Sequence, residues 1–152
     1  MKRVMIAAMH SGSGKTGMTC GLMRACSRRG MTVEGFKCGP DYIDPMFHRR
    51  VLGVPSRNLD LYLQGKSGVE RTLKKQRGEL AILEGAMGFY DGLGGVTDTA
   101  SAWQLADTLD LPALLVVRPK GASLTLAAEL RGLTAFRTPH HIAGILLNDG
   151  TQ

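Results

Sequence analysis

The stretch Val4-Met-Ile-Ala-Ala-Met-His-Ser-Gly-Ser-Gly-Lys-Thr16 constrains this chain most, because it runs an apolar strand into a glycine-bearing turn and a helix start. Gly12 and Gly14 permit backbone turns closed to other residues, so successive N–H groups face inward at anionic oxygens. A helix beginning near Lys15 adds the positive end of its dipole. Lys15 would set an ammonium beside β- and γ-phosphates, the Thr16 hydroxyl would fill a magnesium position, and Ser11 and Ser13 offer further hydrogen bonds. The expected ligands are therefore ATP and Mg2+. The usual spacing places a glycine five residues before Gly14, and here that residue is Met9, so the loop is a variant. A ligand-free glycine turn is the bland alternative, disfavoured by glycine, lysine and threonine following in order at a strand end.

Continuous rather than alternating apolar runs predict buried parallel strands at Arg3–Ala8, Leu80–Glu84, Ala113–Val117 and Ile142–Leu147, with a fifth at Thr32–Lys37. Helical periodicity is read over Lys15–Arg29, Val69–Arg77, Thr99–Leu109 and Ala122–Arg137. This alternation predicts an α/β fold, a P-loop NTPase-like three-layer domain with a mostly parallel central sheet covered on both faces. Gly39–Lys66 interrupts the alternation with Pro40, Pro45 and Pro55 and is read as a functional excursion over the strand ends. At 152 residues and 43% hydrophobic, the chain suits one domain, spanning 1–152. Its ending just past a strand suggests a domain cut from something longer.

Several carboxylates fall near predicted strand ends. Asp41 and Asp44 flank Tyr42 on a proline-bracketed segment, where Pro45 should push Asp44 out of the helical region onto an extended turn. Paired acids there call for a cation or phosphate-bound magnesium, although turn-forming aspartates are the plain alternative. Glu84 ends an apolar strand, as an acid delivered to magnesium does, and it is not expected to be a core residue because an unpaired buried carboxylate is costly. Gly85, Gly88, Gly92, Gly94 and Gly95 suggest a mobile loop carrying Asp91 and Asp98 that closes over a substrate. Asn148, after the last strand, offers a donor and an acceptor that match an adenine edge, or else it simply makes a turn. Phe89, Tyr90, Trp103 and Phe136 are assigned to core or loop packing, and His140 and His141 to the surface.

Charge narrows the partners. The net charge of +6 favours anions, but the bases lie in small groups without a dense stripe or interleaved aromatics, which argues against nucleic acid. Cys20, Cys26 and Cys38 form no CxxC pair and are read as thiols in a reducing compartment. Val4–Met9 is too short to span a bilayer and lacks the features of a secretory signal, so a cytoplasmic protein without membrane partners is expected.

Taken together, HSGSGKT at 10–16, FKCGPDYIDPMFH at 36–48, PSRNLD at 55–60, EGAMGFYDG at 84–92 and LLND at 146–149 resemble the cobyrinic acid a,c-diamide synthases. These are glutamine-dependent amidotransferases of corrinoid biosynthesis. The likeness runs over nearly the whole chain, and the GPDYIDP and EGxMGxxDG strings are far more specific than the phosphate loop alone. In this family the first loop glycine is commonly missing, which groups the chain with a dethiobiotin-synthetase-like branch. The resemblance implies an ATP-dependent ligase that activates cobyrinic acid carboxylates as acyl phosphates for attack by ammonia. It implies that Thr16, Asp41 and Glu84 bind magnesium and that Lys15 neutralises γ-phosphate charge. Gly12, Ser13, Gly14 and Asn148 join the nucleotide site, while Asp44, Tyr42 and Asp91 belong to substrate and phosphoryl transfer.

Two departures bear on that reading. Nothing here matches the family's second, glutamine-hydrolysing domain, so this chain should not use glutamine by itself. Val117-Arg-Pro-Lys120 stands where relatives often carry an aspartate. Two other functions stay open: amidation of a different tetrapyrrole polycarboxylate such as nickel sirohydrochlorin, and a switch or partition ATPase. The latter class typically has an extra lysine early in the loop, absent from Ala8–Ser11. A homodimer is left open.

Overall fold

A computed structural model describes residues 1–149. Six strands, β1 (Lys2–Ala8), β2 (Val33–Cys38), β3 (Ser56–Leu59), β4 (Leu80–Glu84), β5 (Ala113–Val117) and β6 (Ile142–Leu147), form one sheet in the order β3-β2-β4-β1-β5-β6. Every neighbouring pair is parallel. Five α-helices cross between them: α1 (Lys15–Arg28), α2 (Ile43–Val51), α3 (Leu61–Lys74), α4 (Ala102–Leu109) and α5 (Leu124–Phe136). Among the described residues no helix is long and apolar enough to cross a membrane.

The central strands are apolar on both sides because both sides are covered. On one face Ile6, Ala8, Ile82 and Val116 pack with Met23, Met18 and Leu22 of α1. On the other, Met5, Phe36, Leu83 and Leu115 meet Val69 and Leu73 of α3, Leu105 of α4, and Leu126, Leu130 and Leu133 of α5. Fully buried side chains such as Phe36 and Met23 each contribute about 1.5–3 kcal/mol over leaving them exposed. Gly35 lets α1 and β3 close on β2, since a Cβ there would lie 2.8 Å from Met23 Cε and 2.9 Å from Ser56 Oγ.

The segment read as an excursion is ordinary structure over much of its length. It holds α2, β3 and the beginning of α3. β3 is polar in sequence (SRNL) and so gave no apolar run, yet it pairs with β2 from Gly35↔Ser56 to Cys38↔Leu59. α3 begins at Asp60, whose side chain accepts from the Tyr62 and Leu63 N–H groups, and it breaks at Gly65 (φ 63°, ψ 173°), which hides its first turn from periodicity.

Asp44 also differs from expectation, because it lies inside α2 rather than on an extended turn. Pro45 is the third helical residue, where no intrahelical partner awaits its missing N–H, so the first turn tolerates it. Asp41 Oδ1 caps that turn, accepting from Ile43 N–H at 2.8 Å and Asp44 N–H at 3.2 Å.

Candidate functional site

Strand register assembles the site. Ile6 of β1 and Lys37 of β2 both lie level with Glu84 of β4, so the Lys37 and Glu84 side chains leave the sheet on the face that α1 covers. β1 leads toward one side of the sheet and β4 toward the other, which opens a crevice beyond their carboxyl ends. A cleft of about 790 Å³ occupies it, bounded by the loop before α1, Lys37 to Ile43, and Ala86 and Met87.

The phosphate loop has the conformation its glycines suggested. Gly12 (φ 79°) and Gly14 (φ 89°) are left-handed, and Gly14 is the N-cap of α1. Ser13 faces away from the cleft: its hydroxyl donates to His10 O at 2.8 Å, and its carbonyl accepts from Asn148 Nδ2 at 2.9 Å. Asn148 thereby fastens the loop to the end of β6, with its Oδ1 outside that bond. Lys15 is largely buried and donates to Met87 O at 3.1 Å. Burial, and then the neighbouring Lys37 charge, lower its pKa.

Glu84 is fully buried, contrary to the expectation that it stays out of the core. It is buried because it is paired: Oε1 accepts from Thr16 Oγ1 at 2.6 Å and from Lys37 Nζ at 2.9 Å. Lys37 also meets Asp44 Oδ2 at 2.6 Å and lies 3.8 Å from Asp41 Oδ2. Burial alone would lower the Lys37 pKa, but Glu84 and Asp44 outweigh it and the net shift is upward. One buried ammonium thus holds three carboxylates, so that Asp41, Asp44 and Glu84, with Thr16 on Glu84, converge around it.

Sequence reasoning gave Lys37 and His48 no role, although both stand in the FKCGPDYIDPMFH string. The missed signal was a lysine at the carboxyl end of the predicted strand, which the structure places at Val33–Cys38 with every residue buried. His48 is fully buried one turn after Asp44 on α2, with Nδ1 3.0 Å from Ser56 Oγ and Nε2 3.8 Å from Glu84 Oε2. Burial holds its pKa below the usual imidazole value, against the pull of Glu84 and Asp44.

The remaining predicted residues sit farther out. Tyr42 is 84% exposed at the cleft rim. Asp91 accepts from Gly88 N–H at 2.9 Å and is no part of the cleft lining. The glycine-rich loop is bound down rather than loosened: Phe89 N–H bonds to Ala8 O and Gly92 N–H to Thr97 O, each at 2.8 Å. Gly88 is needed for close approach, since a Cβ would lie 2.7 Å from Met9 O. Phe89 is core, whereas Tyr90, Trp103 and Phe136 form a partly open aromatic cluster with Tyr90 at its centre. His141 is mostly covered, 2.9 Å from Asp107 Oδ1, and so departs from its surface assignment. All three cysteines are free, with burial pushing the Cys38 thiol up to about 11.

Magnesium commonly uses one or two protein carboxylates together with nucleotide oxygens and water. No three His, Cys, Asp or Glu side chains converge as a cage among the described residues. The adjoining Thr16 Oγ1 and Glu84 Oε1 suit the nucleotide-shared arrangement.

A family model described as the CobQ/CobB/MinD/ParA nucleotide binding domain matches residues 4–149. The chain is 48% identical over 149 residues to a cobyrinate a,c-diamide synthase of Clostridium acetobutylicum, covering 98% of this chain and 34% of the relative. The corresponding enzyme of Clostridium tetani is 46% identical over the same shares, and that of Saccharolobus solfataricus is 41% identical over 97% and 34%. The chain therefore spans about a third of the length of these relatives. Among solved structures, the signal recognition particle receptor FtsY from Elizabethkingia anophelis superposes with TM-score 0.69 at 14% identity, covering 99% of this chain and 51% of FtsY. That likeness concerns the fold.

Proposed function

The chain belongs to the CobQ/CobB/MinD/ParA nucleotide-binding domain family, and from that premise we propose that it is the ATP-binding synthetase domain of a cobyrinic acid a,c-diamide synthase. The observation that carries this reading is the convergence of Lys15, Thr16, Lys37, Asp41, Asp44 and Glu84 at one crevice, in a chain 48% identical to such a synthase. Residues 1–152 would constitute the synthetase domain. A glutaminase domain outside this chain would supply ammonia. The enzyme would work in the cytoplasm without nucleic acid or membrane partners.

A carboxylate resists ammonia because resonance stabilises it and its oxygen leaves poorly. The cleft would hold ATP with its γ-phosphate facing a cobyrinic acid carboxylate. That carboxylate attacks the γ-phosphorus and displaces ADP, giving an acyl phosphate; ammonia then attacks its carbonyl carbon, expels phosphate and loses a proton to form the amide. Catalysis of the first step consists mainly of positioning and charge neutralisation. The N–H groups of residues 12–16 and the Lys15 ammonium would receive phosphate charge. Thr16, Glu84 and Asp41 would hold the magnesium ion, which draws charge from the phosphate oxygens when bound. Lys37 would hold Asp44 in place through their 2.6 Å contact, while Asp44, Asp91 and Tyr42 serve the acceptor side.

Calorimetry with MgATP, with and without cobyrinic acid, tests this on the wild type and on Lys15→Ala. Lys15-dependent ATP binding that tightens with the corrinoid is the expected result. ATP binding indifferent to cobyrinic acid would overturn the substrate assignment, and a different tetrapyrrole in the same titration would show whether the acceptor lies elsewhere in that class. Unchanged ATP affinity in Lys15→Ala would overturn the nucleotide site.

A further inference from the structure

Two buried polar atoms face each other beneath the cleft with no hydrogen-bond partner: His48 Nε2 and Glu84 Oε2. They are 3.8 Å apart, and both side chains are fully buried. A water bridge does not fit this gap, because two hydrogen bonds of normal length at a water's angle hold the outer atoms about 4.6 Å apart. Either the two atoms close on each other or both stay unsatisfied.

The surroundings favour closure. His48 and Asp44 lie one turn apart on α2, so the helix that presents Asp44 to Lys37 also presents the imidazole to Glu84. Behind the ring, Nδ1 is 3.0 Å from Ser56 Oγ on β3. If that hydroxyl donates to Nδ1, the ring proton belongs on Nε2, facing the carboxylate. The other Glu84 oxygen is already engaged by Thr16 and Lys37. Any turn of the carboxylate that frees Oε1 from Thr16 must be accommodated at Oε2, which the imidazole Nε2 faces at 3.8 Å.

We infer that His48 is a positioning residue: held by Ser56, it donates from Nε2 to Glu84 Oε2 and fixes the orientation in which Glu84 meets the cation shared with the nucleotide. The inference rests on the proposed nucleotide site for its consequence, but the hydrogen bond itself can be examined without ligand. Outer partners of this kind typically contribute 10–100-fold to metal affinity.

Glutamine and asparagine separate the two ends of the ring. His48→Gln keeps a donor near the Nε2 position, whereas His48→Asn keeps only the Ser56 end. With ATP present, Mn2+ retention read by electron paramagnetic resonance should weaken about tenfold in His48→Asn and change less than about threefold in His48→Gln. Equal loss in both variants, or none in His48→Asn, overturns the inference. Independently, 15N spectra of the histidine-labelled wild type, with His48 identified by its absence from His48→Gln, should show a protonated Nε2 and a bare Nδ1. A bare Nε2 overturns it whatever the metal result. Wild-type protein that retains no Mn2+ with ATP would instead refute the nucleotide-site reading, leaving the nitrogen spectra to decide the contact.

Discussion

Replacing Lys37 by methionine removes the one ammonium that holds Asp44 and Glu84 together while keeping the bulk of the side chain. At an effective dielectric near 20, unit charges separated by these 2.6 Å and 2.9 Å distances attract by about 6 kcal/mol each. Much of that is offset in the wild type by the cost of burying the ions. Asp44 retains some exposure and can recover water, whereas Glu84 is fully covered and would keep only neutral neighbours, Thr16 and the His48 imidazole. The net loss should therefore fall in the range for breaking a buried pair, about 3–5 kcal/mol. In a domain of this size that corresponds to a fall in Tm of about 6–20 °C, measured by circular dichroism at pH 7. Lys37→Met/Glu84→Gln should recover part of the loss, because the stranded charge goes with its partner. A Lys37→Met melt within about 2 °C of wild type, or a double variant no more stable than the single one, would refute the argument that this ammonium permits Glu84 to be buried.

Three further outcomes are expected. Gly14→Ala combines a left-handed φ of 89° with a Cβ directed into the Asn148 amide, so the variant should lose MgATP binding in calorimetry and melt lower; undiminished binding would contradict the geometry. Asn148→Ala removes the bond to Ser13 O and should reduce stability by about 1 kcal/mol in urea unfolding, with weaker ATP binding as the loop loosens. Glu34 is desolvated, which opposes its ionisation, yet the N–H groups of Arg77 and Gly78 and the Arg57 guanidinium outweigh this and its net pKa is lowered. Its contribution is therefore present above the unfolded carboxylate value and disappears as pH falls through the lower folded value. Glu34→Gln should cost about 1–3 kcal/mol at pH 7, and the difference from wild type should shrink on acidification below about pH 4.5; a constant difference would show that charge is not its source.

Much of the scaffold was legible because its signals are local. The apolar runs ending at Ala8, Glu84, Val117 and Leu147 were each assigned strands that the structure contains. The polar strand Ser56–Leu59 was missed because its place comes from pairing with β2, and α2 was missed because Pro45 was judged by its neighbour rather than by its position in a first turn. Glu84 was judged by the cost of burial before its partner was known. That partner lies 47 residues away, on a strand whose register no local pattern reveals.

The sequence by itself determined a phosphate-binding strand-loop-helix, since glycine conformation, an adjoining helix start and the Lys15-Thr16 order act within a dozen residues. Tertiary structure alone decided that Glu84 is buried, that Lys37 joins it to Asp44, and that His48 stands behind it. The physical reason is that a buried charge is tolerable only beside its counter-charge, and that proximity arises when β2, β4 and α2 close on one another.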